Sequence, residues 1–194
     1  MRTVALVIAN DPGTGFEGSK YVSSDREPSM IERVVSKAAS WPVDEVVVVL
    51  GPDADEIIAN TGLGKATLVI DPEWQEGIAA SLRVAIDLIM RGPATDRIVV
   101  ALADQPGVDD ATIEALLDRW GGKGAVVPKY RYRRGWPVVL SSDLFDLVLG
   151  MEGAADLHDM LQSHAEEVEE VMFDHLEPMR VLTPSDLRSG RTSG

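Results

Sequence analysis

Five apolar runs punctuate the first two-thirds of the chain: Thr3–Ala9, Glu45–Leu50, 66–70, 97–103 and 125–128. They are rich in Val and Ile and nearly continuous, which predicts strands buried on both faces. Between them the apolar spacing becomes helical. Ile31, Val34, Val35, Ala38 and Ala39 form one stripe, Leu82, Ala85, Ile86, Ile89 and Met90 a second, and Ile113, Leu116, Leu117 and Trp120 a third. Each follows the three- and four-residue steps of a helix with one buried face. Strand–helix alternation of this kind predicts an α/β fold, a Rossmann-like three-layer sandwich around a mostly parallel sheet. The rhythm then breaks. "AVVPKYRYRRGWPVVLS" reads as two strands around a turn at Arg134-Gly135, followed by helices over 141–149 and 153–164 and a strand over 168–173.

The length, 194 residues, suits one domain over 1–188, and the polar tail 189–194 reads as disordered. The net charge of −14 disfavours nucleic acid and anionic membranes, so an anionic ligand needs a local basic patch. There are no cysteines, which excludes disulfides and thiol chemistry and fits a cytoplasmic protein. No apolar run approaches the ~18 residues needed to span a membrane. The acidic run Glu166, Glu167, Glu169, Glu170 reads as solvated surface.

Parallel sheets bind ligands at the carboxyl ends of their strands. The segments that follow the strands here are 10–20, Gly51-Pro52-Asp53, Asp71-Pro72-Glu73-Trp74 and Asp104-Gln105-Pro106. Gly13, Gly15 and Gly18 spell G-x-G-x-x-G, a dinucleotide fingerprint. That reading requires a helix to open at the last glycine and an acidic partner ~20 residues on. Ser23, Ser24, Asp25 and Pro28 argue against the helix, and Asp53 lies too far along. The P-loop reading fails because Ser19-Lys20 reverses the required order. What remains is a long glycine loop whose backbone N–H groups can approach phosphate, with Lys20 as a point charge.

The whole chain resembles the MobA-like molybdenum cofactor nucleotidyltransferases, nearest to their cytidylyltransferase branch. The likeness rests on an ordered series: "VALVIAN" and the loop to Lys20, "EVVVVLG", "WQEGIAASL", "LADQP", "PKYRYRRGWP", "GMEGAADLHDML" and "LTPSDL". "LADQP" is the most specific of these. The resemblance implies a nucleotide-diphospho-sugar-transferase-like fold. It implies transfer of a nucleotide monophosphate, CMP or GMP, from a nucleoside triphosphate to a small phosphorylated acceptor, a pterin, with release of pyrophosphate.

By the same resemblance Lys20 and Asp104 are catalytic, and Asp104 holds magnesium. Ala9, Asn10, Gly13, Gly15, Gly18, Lys20, Gly77, Ala80 and Ser81 meet the nucleotide, although the Ser81 hydroxyl is equally suited to capping a helix over 82–90. Gln105, Arg131, Arg134, Gly135 and Trp136 meet the acceptor. Lys129, Arg131, Arg133 and Arg134 make an anion patch, or an edge strand blunted by charge. Three departures stand against full activity. The arginine that precedes the lysine in the family is absent, with Phe16 and Glu17 in its place. The late aspartates, one a second metal ligand, align with Arg180 and Leu182. The family histidine is Trp136. Asp174, Glu177 and Asp186 are the substitutes for the second ligand, Asp186 doubling as a helix cap. Two other functions therefore stay open: a nucleotide- or pterin-binding partner without catalysis, and an NAD(P)H-dependent reductase of a quinoid substrate.

Overall fold

A computed structural model describes residues 1–22, 28–152 and 156–190. Its strands are β1 (Thr3–Ala9), β2 (Glu45–Leu50), β3 (Thr67–Ile70), β4 (Arg97–Leu102), β5 (Ala125–Tyr130), β6 (Arg133–Arg134), β7 (Val138–Ser141) and β8 (Val168–Phe173). The helices are α1 (Met30–Ala38), α2 (Ala54–Asn60), α3 (Ile78–Arg91), α4 (Asp110–Arg119), α5 (Phe145–Leu149), α6 (Leu157–Ser163) and α7 (Pro184–Gly190).

The sheet runs β3-β2-β1-β4-β7-β5-β6, with β8 on the other side of β5. Strands β1 to β4 are parallel, as the buried runs predict. Every residue of β1 is buried, and its side chains alternate between two cores. Ala5, Val7 and Ala9 face the layer of α1, α2 and α4. Val4, Leu6 and Ile8 face α3, α5 and α6. A strand that serves two cores has no polar side, which is why the sequence shows an unbroken apolar run.

The structure corrects the sequence reading in four places. β3 is an edge strand, so Leu68 and Ile70 stand exposed, not buried. The hairpin turns at Arg131-Tyr132, with Arg131 at φ 47°, earlier than Arg134-Gly135. Arg133 and Arg134 already pair back onto Tyr130 and Lys129. β6 and β7 thus lie along one edge of β5, interrupted at 135–137. α3 starts at Ile78, after Gly77 at φ 87°, so Ser81 is inside the helix and caps nothing. α7 reaches Gly190, into the segment read as a tail. The first residues of the helix expected over 153–164 and the tail residues 191–194 lie outside the described residues, as do Ser23, Ser24 and Asp25.

β7 runs antiparallel to both β4 and β5. The parallel region therefore ends at β4. Its chain order reverses between β1 and β4, and that is where a doubly wound sheet opens a ligand crevice. Among the described residues no helix is long and apolar enough to cross a membrane.

α1, which supports the exit of the glycine loop, begins with a reciprocal cap between Ser29 and Glu32. The other oxygen of Glu32 accepts the Gly62 N–H at 2.9 Å, ahead of β3. Replacing Ser29 by Ala removes one half of the cap and is expected to lower stability by about 1 kcal/mol. The midpoint of urea unfolding, followed by circular dichroism, measures it.

Candidate active site

Two loops meet at the switch point, one leaving β1 and one leaving β4. Asp104, two residues past β4, is 1% exposed, and its carboxylate is the hub. Lys20 Nζ donates to its Oδ2 at 2.8 Å. Arg180 forks onto it, Nε to Oδ1 at 3.0 Å and Nη2 to Oδ2 at 2.7 Å. Asp11 closes the cluster. Its Oδ1 lies 3.4 Å from Lys20 Nζ and its Oδ2 accepts from Arg180 Nη2 at 3.2 Å. Two cations face two carboxylates, and the Lys20 side chain exposes nothing to solvent. Charges this deep are tolerated only when each is paired.

Burial works against the charged forms of Asp11 and Arg180, but their partners win. The Gly13 N–H with Lys20 and Arg180 holds Asp11 below the usual carboxylate range. The Asp104 carboxylate raises Arg180 above the usual guanidinium value. Tyr21, whose hydroxyl accepts the Asp11 N–H at 3.3 Å, is pushed well up by burial and then by the Asp104 charge.

The glycine loop bends as expected, with Gly13, Gly15 and Gly18 all at positive φ. Several of its N–H groups, however, already have partners within the chain. Gly13 donates to Asp11 Oδ1 at 2.7 Å, Thr14 to the Leu182 carbonyl at 2.8 Å and Ser19 to the Glu56 carboxylate. Glu17 is exposed and stands off the cluster.

The C-terminal segment holds this arrangement from outside. Val181 N–H donates to the Asp104 carbonyl at 2.7 Å, so Arg180 is pinned beside its carboxylate by the backbone. None of the three acidic substitutes reaches Asp104. The Asp174 carbonyl accepts from Arg131, Glu177 joins Gln105 to the Trp136 N–H, and Asp186 accepts from Thr183 and Leu182 at the start of α7.

The predicted nucleotide residues separate. Ala9 and Ala80 are buried backbone spacers. Asn10 Nδ2 donates to Ser81 Oγ at 3.1 Å, and Ser81 donates to Asp71 Oδ2 at 2.7 Å. This buried chain joins the ends of β1 and β3 to α3. Gly77 stands apart at the helix start.

The predicted acceptor residues also separate. Gln105 is 1% exposed and donates to the Pro178 carbonyl at 2.6 Å. Gly135 lies against Glu177, where a Cβ would come within 2.6 Å of the carboxyl group. Trp136 stacks edge-on against His158 at 5.0 Å. Lys129 and Arg134 both pair with Glu170, so the basic patch is only partly neutralised and Glu170 is not idle surface. Arg134 Nη1 is buried without a partner in a cavity of about 500 Å³ shared with His158. A second cavity, about 470 Å³, lies between Tyr130, Leu176, Met179, Leu182 and Arg180.

The resemblance implies magnesium on Asp104, but the donors do not fit. Both Asp104 oxygens hold cations, and the cluster already balances its charge. Among the described residues no group of three or more Asp, Glu or His side chains could hold a metal ion. Asp11 and Arg180 are the members that sequence reasoning missed. Asp11 lies in the 10–20 segment, where the glycines and Lys20 drew the reading. Arg180 read as a lost aspartate.

The mostly parallel sheet with helices on both faces is that of the nucleotide-diphospho-sugar-transferase-like α/β proteins. The chain belongs to the MobA-like NTP transferase domain family, whose model matches residues 5–168. It is 30% identical over 100 residues to nicotine blue oxidoreductase of Paenarthrobacter nicotinovorans, covering 52% of this chain and 48% of that protein. It is 28% identical over 120 residues to the bifunctional protein GlmU of Lactococcus lactis, covering 61% of this chain and 25% of GlmU. The chain thus spans between a quarter and a half of the length of these relatives. Among solved structures, Rv0371c of Mycobacterium tuberculosis superposes with a TM-score of 0.86 at 26% identity, covering 100% of this chain and 99% of that one. A second Rv0371c structure, a manganese complex, gives 0.84 at 25% identity and covers 100% of both chains.

Two outcomes follow from the geometry. Ser81→Ala leaves buried Asp71 Oδ2 and Asn10 without their shared partner, and is expected to cost about 1–3 kcal/mol in denaturant unfolding. Because Asp11 titrates lower when folded than when unfolded, its stabilisation is present at neutral pH and fades as pH falls through the two values. Asp11→Asn is expected to flatten the acid limb of a stability–pH profile.

Proposed function

We propose that the chain transfers a nucleotide monophosphate, CMP or GMP, from a nucleoside triphosphate to the phosphate of a pterin. An acceptor phosphate oxygen attacks the α-phosphorus. The bond from that phosphorus to the oxygen bridging to the β-phosphate breaks, and pyrophosphate leaves with the electron pair. Such a reaction asks the protein for position and counter-charge more than for covalent help.

One observation carries this reading. The Asp11 carboxylate accepts from Gly13 N–H and Arg180 and faces Lys20, a donor set that suits a phosphate. Asp11 is a third exposed and is the group that an entering phosphate displaces. Lys20 and Arg180 then supply charge, and Asp104 keeps both in place. Asn10, Gly77, Ala80 and Ser81 shape the nucleoside end. The acceptor occupies the apolar cavity beside Arg180, which Arg133 and Glu177 also line, and Glu177 ties Gln105 and the Trp136 N–H to its wall. Magnesium enters this reading as the counter-ion that a nucleoside triphosphate carries, with no ligand assigned to it from this chain. A cytoplasmic setting suits these substrates.

Incubation with CTP or GTP and a phosphorylated pterin should release pyrophosphate. Lys20→Gln, verified as folded by circular dichroism, should lower the rate by roughly 10²–10³-fold. No turnover and no nucleotide binding at millimolar concentration would sink the proposal.

The amides of Gly13, Thr14 and Ser19, satisfied within the chain, favour a second reading, a nucleotide- or pterin-binding partner without catalysis. Binding without pyrophosphate release selects it. The nicotine blue oxidoreductase relative motivates a third, a reductase, for which NADPH consumption with a quinoid acceptor is the assay.

A further inference from the structure

We propose that Arg180 is a built-in replacement for a divalent cation, so that this site binds a diphosphate group without metal. A magnesium ion on a carboxylate sits about 2.0–2.1 Å from its oxygen. At Asp104 three of about four lone-pair sites are taken, by the Arg180 fork at 3.0 and 2.7 Å and by Lys20 at 2.8 Å. A divalent cation at the remaining site would face the Arg180 guanidinium at close range and be repelled by it. Arginine stays charged at any accessible pH and presents a planar fork, so it supplies a fixed counter-charge.

Nor is Arg180 a loose surface residue. The Val181 N–H is tied to the Asp104 carbonyl at 2.7 Å, and the Leu182 carbonyl holds the Thr14 N–H at 2.8 Å. The segment that carries the arginine is therefore stitched to both loops of the site. With Nε and Nη2 anchored on Asp104, Nη1 meets no acceptor among the described residues. The side chain lines the cavity of about 470 Å³. An anion there meets a guanidinium already oriented and already charged.

The inference shares its anion with the transfer reading but not its chemistry. It holds whether or not pyrophosphate is the product of a reaction.

The test uses the full chain with two probes, inorganic pyrophosphate by calorimetry and Mn²⁺ by electron paramagnetic resonance. Pyrophosphate should bind with the same affinity in EDTA and in magnesium. Arg180→Ala should weaken it roughly 10–100-fold in EDTA. Wild type should show no stoichiometric Mn²⁺ site, whereas Arg180→Asp should gain one that a further Asp104→Asn change removes. Asp104 keeps Lys20 in these Arg180 variants, and circular dichroism confirms folding. A wild-type Mn²⁺ site lost in Asp104→Asn, or pyrophosphate binding that requires magnesium, overturns the proposal. Failure of pyrophosphate to bind in either buffer also overturns it and leaves the transfer reading to its own turnover assay. Metal-independent binding without turnover supports the inference and removes only the transfer reading.

Discussion

The buried carboxylate of Asp104 is the constraint on which the site depends. It lies where β4 ends, beneath two loops and one crossing segment, and a lone negative charge there would be strongly disfavoured. Lys20 and Arg180 resolve that problem from opposite ends of the chain. Each needs a second carboxylate to balance the pair, and Asp11 supplies it. The conformations of the glycine loop and the 178–183 segment follow from this neutralisation as much as from their own turn chemistry.

The closed cluster also changes what the glycine loop is for. The N–H groups of Gly13, Thr14 and Ser19 are turned toward Asp11, Leu182 and Glu56, so the loop is held by its own chain in the state described. A phosphate entering here exchanges one set of hydrogen bonds for another and gains mainly from the difference between them. Binding is then governed by competition with internal carboxylates. A net charge of −14 adds to that competition, and selectivity for a multiply charged anion is the natural result.

Much of the fold was legible because buried strands have no polar side to hide. β1 and β2 begin and end where the apolar runs do. β3 misled because an edge strand keeps the same Val and Ile content as a central one, and only its neighbours decide its exposure. The hairpin misled because Arg134-Gly135 has the look of a turn while Arg131 takes the positive φ. Within the site, Lys20 and Asp104 were legible by resemblance, and the structure brings them into contact. Arg180 was not, because aligning it with an aspartate records a loss. That it restores a charge at the same carboxylate is visible only in three dimensions. Asp71 and Ser81 illustrate the same limit: each was noticed separately, and the hydrogen bond joining them was not.

The crossing segment has a consequence for how the molecule is made. Asp104 is synthesised long after Lys20, so one ion pair can form while the chain is still emerging. Arg180 is made after both. Until then, the centre contains two carboxylates and a single cation, and the cradle above the sheet has no outer wall. Strands β1 to β4 all precede Arg180 in the chain, so the parallel core can form while the charged centre still waits for its second cation. A chain shortened by a few residues before Arg180 would keep its sheet and lose its centre.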